Sequence, residues 1–214
     1  MSDASVYFGN VRTQIEPLLA ERAERVLEIG CSSGETLRWL KATGRAGRAW
    51  GIELFEPAAQ AARAHAEEVL VGNAETLIDS AFGSDRYELI LCLDVLEHMV
   101  DPWRFVDTLQ HRLAPGGRLV ISVPNIRCIK VLLPLVLLGR FRYQEHGILD
   151  RTHLRFFTRE SALALAAPSQ LEVERWLRYM PPNFSKLGLA NLLTLGLARD
   201  LIATQYLIAS THKG

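Results

Sequence analysis

"VLEIGCSSGE" occupies residues 26–35. Val26, Leu27 and Ile29 form an apolar run that ends in two glycines, Gly30 and Gly34, with small residues between them. A strand, a tight turn and the start of a helix follow from that pattern. Glycine permits positive φ and close approach of the backbone, so the turn opens a space for a ligand at the end of a strand.

Working outward, short apolar runs alternate with helical patterns. Residues 25–30, 48–54, 67–72, 87–95 and 118–124 read as strands, and 35–43, 57–66 and 102–113 as helices. "APGG" at 114–117 reads as a turn. Continuous apolar strands separated by helices predict an α/β fold, a doubly wound, mostly parallel sheet covered on both faces. Residues 171–180 and 204–211 read as a late strand pair flanking a Leu-rich helical segment at 187–202. Thr158 is a fitting N-cap with Glu160 in the first turn, so a helix is expected from about residue 159. No domain boundary is visible, and residues 1–214 are expected to form one domain.

The second strand ends in "GIELFEP", which sets Glu53 where a carboxylate accepts both hydroxyls of a ribose. That pair points to a nucleoside. A dinucleotide turn should read G-x-G-x-x-G, with pyrophosphate at a helix N-terminus. Here the spacing is G-x-x-x-G behind acidic Glu28, which suits a cationic amino group better than a phosphate. S-adenosylmethionine offers a ribose, a sulfonium and an amino acid without phosphate.

"VLEIGCSSG", "GIEL", "GNAE", "LCLDVLEHMVDPW", "LAPGGRLVISVPN" and "GILDRTHLRFFT" follow one another over roughly residues 7–165. In that order they resemble the class I S-adenosylmethionine-dependent methyltransferases, most of all small stand-alone bacterial ones linked to cell-surface glycan synthesis. The resemblance implies a seven-stranded sheet with an antiparallel last strand, and S-adenosylmethionine as cofactor with S-adenosylhomocysteine as product. It implies cofactor contacts from Glu28, Gly30, Cys31, Ser32 and Gly34, from Glu53 and Leu54, from Asn73, Ala74 and Glu75, and from Leu93, Asp94, Val95 and His98. Tyr7 and Arg12 would lie over the methionine end. Ser32 stands where the family has a third glycine, with a backbone N–H still expected to serve. Asn73 stands where an aspartate is common.

Methyl transfer from a sulfonium is an in-line displacement whose leaving group is neutral, so alignment is the main task. A base is needed when the acceptor is a hydroxyl. His98, after the fourth strand, is the first candidate and His153 another. Glu97, immediately before His98, is expected to be structural, bonded to backbone. His146, Arg151 and Arg155 are candidate substrate contacts, the arginines holding an acidic acceptor. The absence of N-P-P-Y or D-P-P-Y after the fourth strand counts against nitrogen acceptors on nucleic-acid bases. Oxygen methylation of a small or glycan-linked acceptor is therefore the expected activity. Two other classes compete: a non-catalytic module that binds cofactor or a partner, and a nucleotide-dependent oxidoreductase or epimerase, which lacks its Tyr-x-x-x-Lys pair here.

The charge balance excludes broad phosphate neutralisation, since 24 basic and 24 acidic residues cancel. No nucleic-acid partner is expected. Three cysteines without C-x-x-C spacing suggest neither a zinc site nor a disulfide framework, and fit a cytoplasmic setting. The apolar segments "VLLPLVLLGRF" (131–141) and 187–202 are expected as lid-like insertions near 126–145 and 182–202. Pro134 should break the first. Packing as a lid, a homodimer surface and shallow membrane contact are the readings open to them.

Overall fold

The computed structural model describes residues 10–83, 85–180 and 199–214. Seven strands form one sheet: β1 (Ala23–Ile29), β2 (Ala46–Glu53), β3 (Glu68–Val71), β4 (Tyr87–Leu93), β5 (Leu113–Pro124), β6 (Leu171–Tyr179) and β7 (Gln205–His212). Their order is β3-β2-β1-β4-β5-β7-β6. The first five pair in parallel, and β7 inserts antiparallel between β5 and β6. The α/β, mostly parallel sheet with an antiparallel last strand is as expected.

Strand periodicity builds the core. Val26, Leu89 and Leu91 point to one face, and Leu27, Ile29, Ile90 and Cys92 to the other. Helices α1 (Glu35–Ala42) and α2 (Glu56–Ala62) cover the first face through Leu37, Leu40, Ala59 and Ala62. Across the short α3 (Ala74–Leu77), α4 (Pro102–Gln110) covers the second through Phe105, Val106 and Leu109. Because both faces are buried, the strands read as continuous apolar runs rather than alternating ones.

Chain termini of helices follow their caps. Asp101 accepts from the Arg104 amide, with Pro102 at the first helical position of α4. Following α5 (Ile129–Leu138), α6 (Arg159–Ala166) begins at Thr158, whose capping box closes with Ser161 rather than with an acidic residue. The last helix, α7 (Arg199–Ile202), leads into β7.

Two local expectations are corrected. Residues 114–117 are not a free turn but lie inside β5, where the register slips between Tyr87 and Leu89 and Gly116 takes φ +73°. Pro134 does not end α5, which runs through it to a left-handed Gly139. The helix gives up the hydrogen bond that the Pro134 nitrogen cannot make, which a largely exposed helix tolerates because water can reach the freed carbonyl. Of the second Leu-rich segment, residues 187–198 lie outside the described residues. No helix among the described residues is long and apolar enough to cross a membrane.

The strand order reverses between β1 and β4. Ligands in doubly wound sheets bind beyond the carboxyl ends of the strands at such a switch point.

Candidate active site

A cavity of about 860 Å³ opens at that point, lined from the ends of β1 to β4 and from the loop after α5. Residues following β2 and β3 wall one side, and residues following β4 and residues 145–152 the other.

The turn after β1 is built by two left-handed glycines. A Cβ on Gly34 (φ +78°) would come within 2.9 Å of the Ala62 backbone, so glycine is what lets α2 press against the turn. A Cβ on Gly30 would meet Val95 at 3.0 Å. Between them Ser32 also adopts positive φ, +52°. That conformation explains why glycine suits this position better. The Ser32 amide is not free for a ligand as expected, because it donates to Glu53 at 2.8 Å.

Glu53 is nearly buried at the end of β2. One oxygen accepts from Ser32 N and the other from Phe55 N at 2.9 Å. Each carboxylate oxygen keeps further acceptor capacity, enough for two ribose hydroxyls. Leu54, 71% exposed, and Phe55 extend an apolar ledge beside it. Asn73 caps α3 by accepting from the Glu75 amide, which leaves its NH₂ group as donor toward the cavity. Glu75 lines the cavity but its two oxygens accept from Val100 N and Asp101 N, so it ties α3 to the loop before α4.

Asp94 directly follows β4 at φ +54°, an uncommon conformation for a side-chain-bearing residue. It is fully engaged. Its Oδ1 accepts from Ser122 and Gln205, both at 2.8 Å, and its Oδ2 pairs with Arg12 at 2.7 Å. Arg12 lines the cavity; Tyr7 lies outside the described residues.

Three expected cofactor contacts do not line the cavity: Glu28, Cys31 and Gly34. Glu28 is buried behind the turn, and burial pushes its pKa up to about 8 against the pull of Arg12 and with the push of Glu53. Cys31 packs into the space over Gly51, its thiol raised by burial. Gly34 packs against Ala62.

On the other wall, His98 ends a 3-10 turn (Leu96–His98) and faces the cavity. Its Nδ1 lies 3.1 Å from Thr152 Oγ1 and 3.3 Å from the Thr152 carbonyl. Thr152 in turn donates its hydroxyl to Asp150 at 2.6 Å. Burial works against the Asp150 carboxylate, but the Thr152 hydroxyl and amide outweigh it and hold its pKa below the ordinary value. The expected second base, His153, stands behind His98, ring against ring at 4.7 Å, and is not on the cavity wall. Its Nδ1 is 3.0 Å from the Ile148 carbonyl, and burial lowers its pKa.

Glu97 departs most from expectation. It is 1% exposed, and neither carboxylate oxygen has a hydrogen-bond partner. Its backbone carbonyl, not its side chain, takes the Leu154 and Arg155 amides. Burial, with the Asp94 carboxylate, raises its pKa well above the usual range.

Of the remaining expected contacts, His146 and Arg151 line the cavity, Arg151 paired with Glu145. Arg155 does not reach it. Its guanidinium donates to the Val100 carbonyl and lies 5.6 Å over the Trp103 ring, which clamps the loop to α4. Sequence reading passed over Asp150 and Thr152 as cavity residues, although Asp followed two residues later by Thr is the signal of a side-chain-capped turn.

Residues 7–175 match the family model for a methyltransferase domain, and the chain belongs to that family. With this fold, it is a class I S-adenosylmethionine-dependent methyltransferase, and S-adenosylmethionine is its cofactor. A ubiquinone biosynthesis O-methyltransferase of Xylella fastidiosa is 28% identical over 163 residues, 71% of this chain and 65% of the relative. The chain thus spans slightly under two thirds of the length of that curated relative. A methyltransferase structure from Archaeoglobus fulgidus superposes with a TM-score of 0.67 at 15% identity, over 97% of this chain and 94% of that one. One from Mesorhizobium loti gives 0.64 at 17%, over 98% of both.

Proposed function

We propose that this protein methylates a hydroxyl oxygen of a small acceptor, held at the His98 wall of the cavity while the cofactor occupies the Glu53 wall. The observation that carries this reading is a single cavity with two chemically different walls. One has a paired-up carboxylate and an apolar ledge, suited to a ribose and a flat base. The other has an imidazole backed by a hydroxyl and a carboxylate.

The cavity lies at the upper end of the ~300–1,000 Å³ typical of ligand sites, which supports two ligands side by side. When bound, S-adenosylmethionine supplies an electrophilic methyl on a sulfonium. The chain's own residues do the rest. Glu53, Asn73 and the turn after β1 hold the nucleoside end. Arg12, fixed by Asp94, closes the methionine end. His98 faces the acceptor, and the hydroxyl proton leaves on that side as oxygen attacks the methyl carbon. Thr152 and Asp150 hold the imbalance of charge at Nδ1. Arg151 and His146 meet the outer part of the acceptor. The names of the curated relatives, O-methyltransferases, support oxygen as the nucleophile.

The test is product chemistry. Cofactor labelled at the methyl, incubated with fractionated small-molecule extracts, should yield a methyl ether by mass spectrometry. A methylamine or C-methyl product, or none with any fraction while the cofactor product still binds, rejects the reading.

A further inference from the structure

We propose that Glu97, His98 and His153 bind a divalent transition-metal cation of the zinc type, and that the acceptor hydroxyl completes its coordination. The first half stands without the acceptor reading given above; the second half rests on it.

One ligating atom from each of the three side chains lies within 4.8 Å of the others. Zinc–ligand bonds of about 2.0–2.2 Å put tetrahedral donors roughly 3.3–3.6 Å apart, so side-chain shifts on the order of 1 Å close the site. Two imidazoles and one carboxylate with a fourth position open is a donor set that catalytic zinc uses.

The second observation is the state of Glu97. A carboxyl group that is 1% exposed with neither oxygen hydrogen-bonded is costly to bury even in its protonated form, and a cation that displaces the proton would give both oxygens a partner. His153 does not supply it by hydrogen bonding, since Nε2 stands 3.9 Å from Oε1, beyond a hydrogen bond. A cation between them would satisfy both.

The third is how the rings are held. Nδ1 of His153 is engaged by the Ile148 carbonyl, and Nδ1 of His98 by Thr152. A carbonyl only accepts, so Nδ1 of His153 carries the proton and Nε2 the lone pair. The Thr152 hydroxyl gives its own proton to Asp150, so it accepts from His98, with the same result. Metal-binding histidines are oriented in this way, by a carbonyl or a carboxylate relay on the far nitrogen. Asp94 and Asp150 add negative charge around the site and Arg12 opposes them.

His98 is the ligand that also lines the cavity. A cation there would hold the acceptor oxygen and lower the pKa of its hydroxyl as it does for bound water. Proton loss to solvent then gives the nucleophile. Oxygen forms its bond to the methyl carbon, the carbon–sulfur bond breaks, and sulfur keeps the electron pair. In this scheme the cation, not the imidazole, makes the hydroxyl reactive.

Calorimetric titration tests the site directly. The full chain, stripped with EDTA and dialysed, is titrated with ZnCl₂ and separately with MnCl₂. One saturable site is expected, zinc binding more tightly than manganese. Glu97→Gln and His153→Ala should each weaken zinc at least tenfold, and Thr152→Val by about 10–100-fold. His111→Ala, at an exposed surface histidine, should leave binding unchanged. Retained S-adenosylhomocysteine binding certifies that each variant is folded; should His153→Ala fail that check, His153→Gln takes its place. Absence of saturable zinc binding by the wild type, or folded Glu97 and His153 variants that bind as tightly as it does, overturns the site. If zinc titrates but chelation leaves methyl transfer unchanged, coordination of the acceptor is overturned and direct base action by His98 stands. If zinc titrates but the product is not an ether, the oxygen reading fails and the metal site survives.

Discussion

Glu53 and Glu97 are both carboxylates at the rim of the same sheet, and both are nearly buried, at 8% and 1% exposure. Their surroundings are opposite. Glu53 has a backbone amide on each oxygen, from Ser32 and Phe55, and these hold it in place before any ligand arrives. Glu97 has none, and sits among imidazoles and other carboxylates. The backbone thus pre-arranges the Glu53 carboxylate, as the proposed binding of a ribose with fixed hydroxyls requires. Behind the other wall, next to His98, a carboxyl group is left without a hydrogen-bond partner. On the function proposed above, binding belongs to the first and chemistry to the second.

The largest expected effect breaks that division at the second wall. His98→Ala should lower turnover by about 10²–10⁴-fold, the contribution of an activating group at a hydroxyl. S-adenosylhomocysteine affinity, read by calorimetry, should hardly move. A fall in affinity with turnover intact would invert the assignment of the walls.

Glu53→Ala is the reciprocal experiment. It should weaken cofactor-product binding by about 1.5–3 kcal/mol, the value of hydrogen bonds to a charged group. Saturating cofactor should restore most of the turnover. Glu97→Gln should leave that affinity near wild type, and an equal loss in both variants would erase the contrast.

Glu28 sharpens the comparison through pH. Its pKa is raised by burial from 4.5 to about 8 in the folded chain. The folded state therefore holds a proton that the unfolded chain releases, and stability is greatest below about pH 4.5 on this account. It falls as pH rises toward about 8, by a few kcal/mol in the absence of ligand. Melting curves of Glu28→Gln should lose that slope. A slope equal to that of the wild type would assign the pH dependence to other groups.

The smallest effect concerns Ser32. Its positive φ costs a side-chain-bearing residue roughly 1–2 kcal/mol, offset in part by the entropy glycine loses on folding. Ser32→Gly should raise the melting temperature slightly, by calorimetric or fluorescence melting. Destabilisation would mean that the serine hydroxyl contributes more than its backbone costs.

The first wall was largely legible in the sequence and the second only by position. Gly30, Gly34 and Glu53 lie within 24 residues, on consecutive strand ends, and local patterning carries that far. Thr158 was equally plain as a cap. The placement of His153 behind His98 depends on the chain returning 55 residues later to the same spot, which no local period records. Glu97 read as a backbone partner because its side chain's lack of one is a tertiary fact. Arg155 resembled a ligand contact because sequence shows charge density without direction; Trp103 and the Val100 carbonyl supply the direction. The antiparallel last strand was implied only through family likeness, and its insertion between β5 and β6 was not read at all, since a strand pair alone does not say which member enters the sheet.

That insertion bears on the order in which the molecule can assemble. Gln205 on β7 donates to Asp94 across 111 positions of chain, and Asp94 in turn fixes Arg12. β7 also joins β6 to the remainder of the sheet. A ribosome would therefore have to extrude the chain through Gln205 before Asp94 gains its last bond. Until then a nascent chain could carry the glycine turn and Glu53, yet the Asp94 that pairs with Arg12 would lack the support of Gln205. Long-range closures of this kind are slow. Cofactor capture should accordingly be among the latest events in the protein's maturation, after the parallel strands have already met.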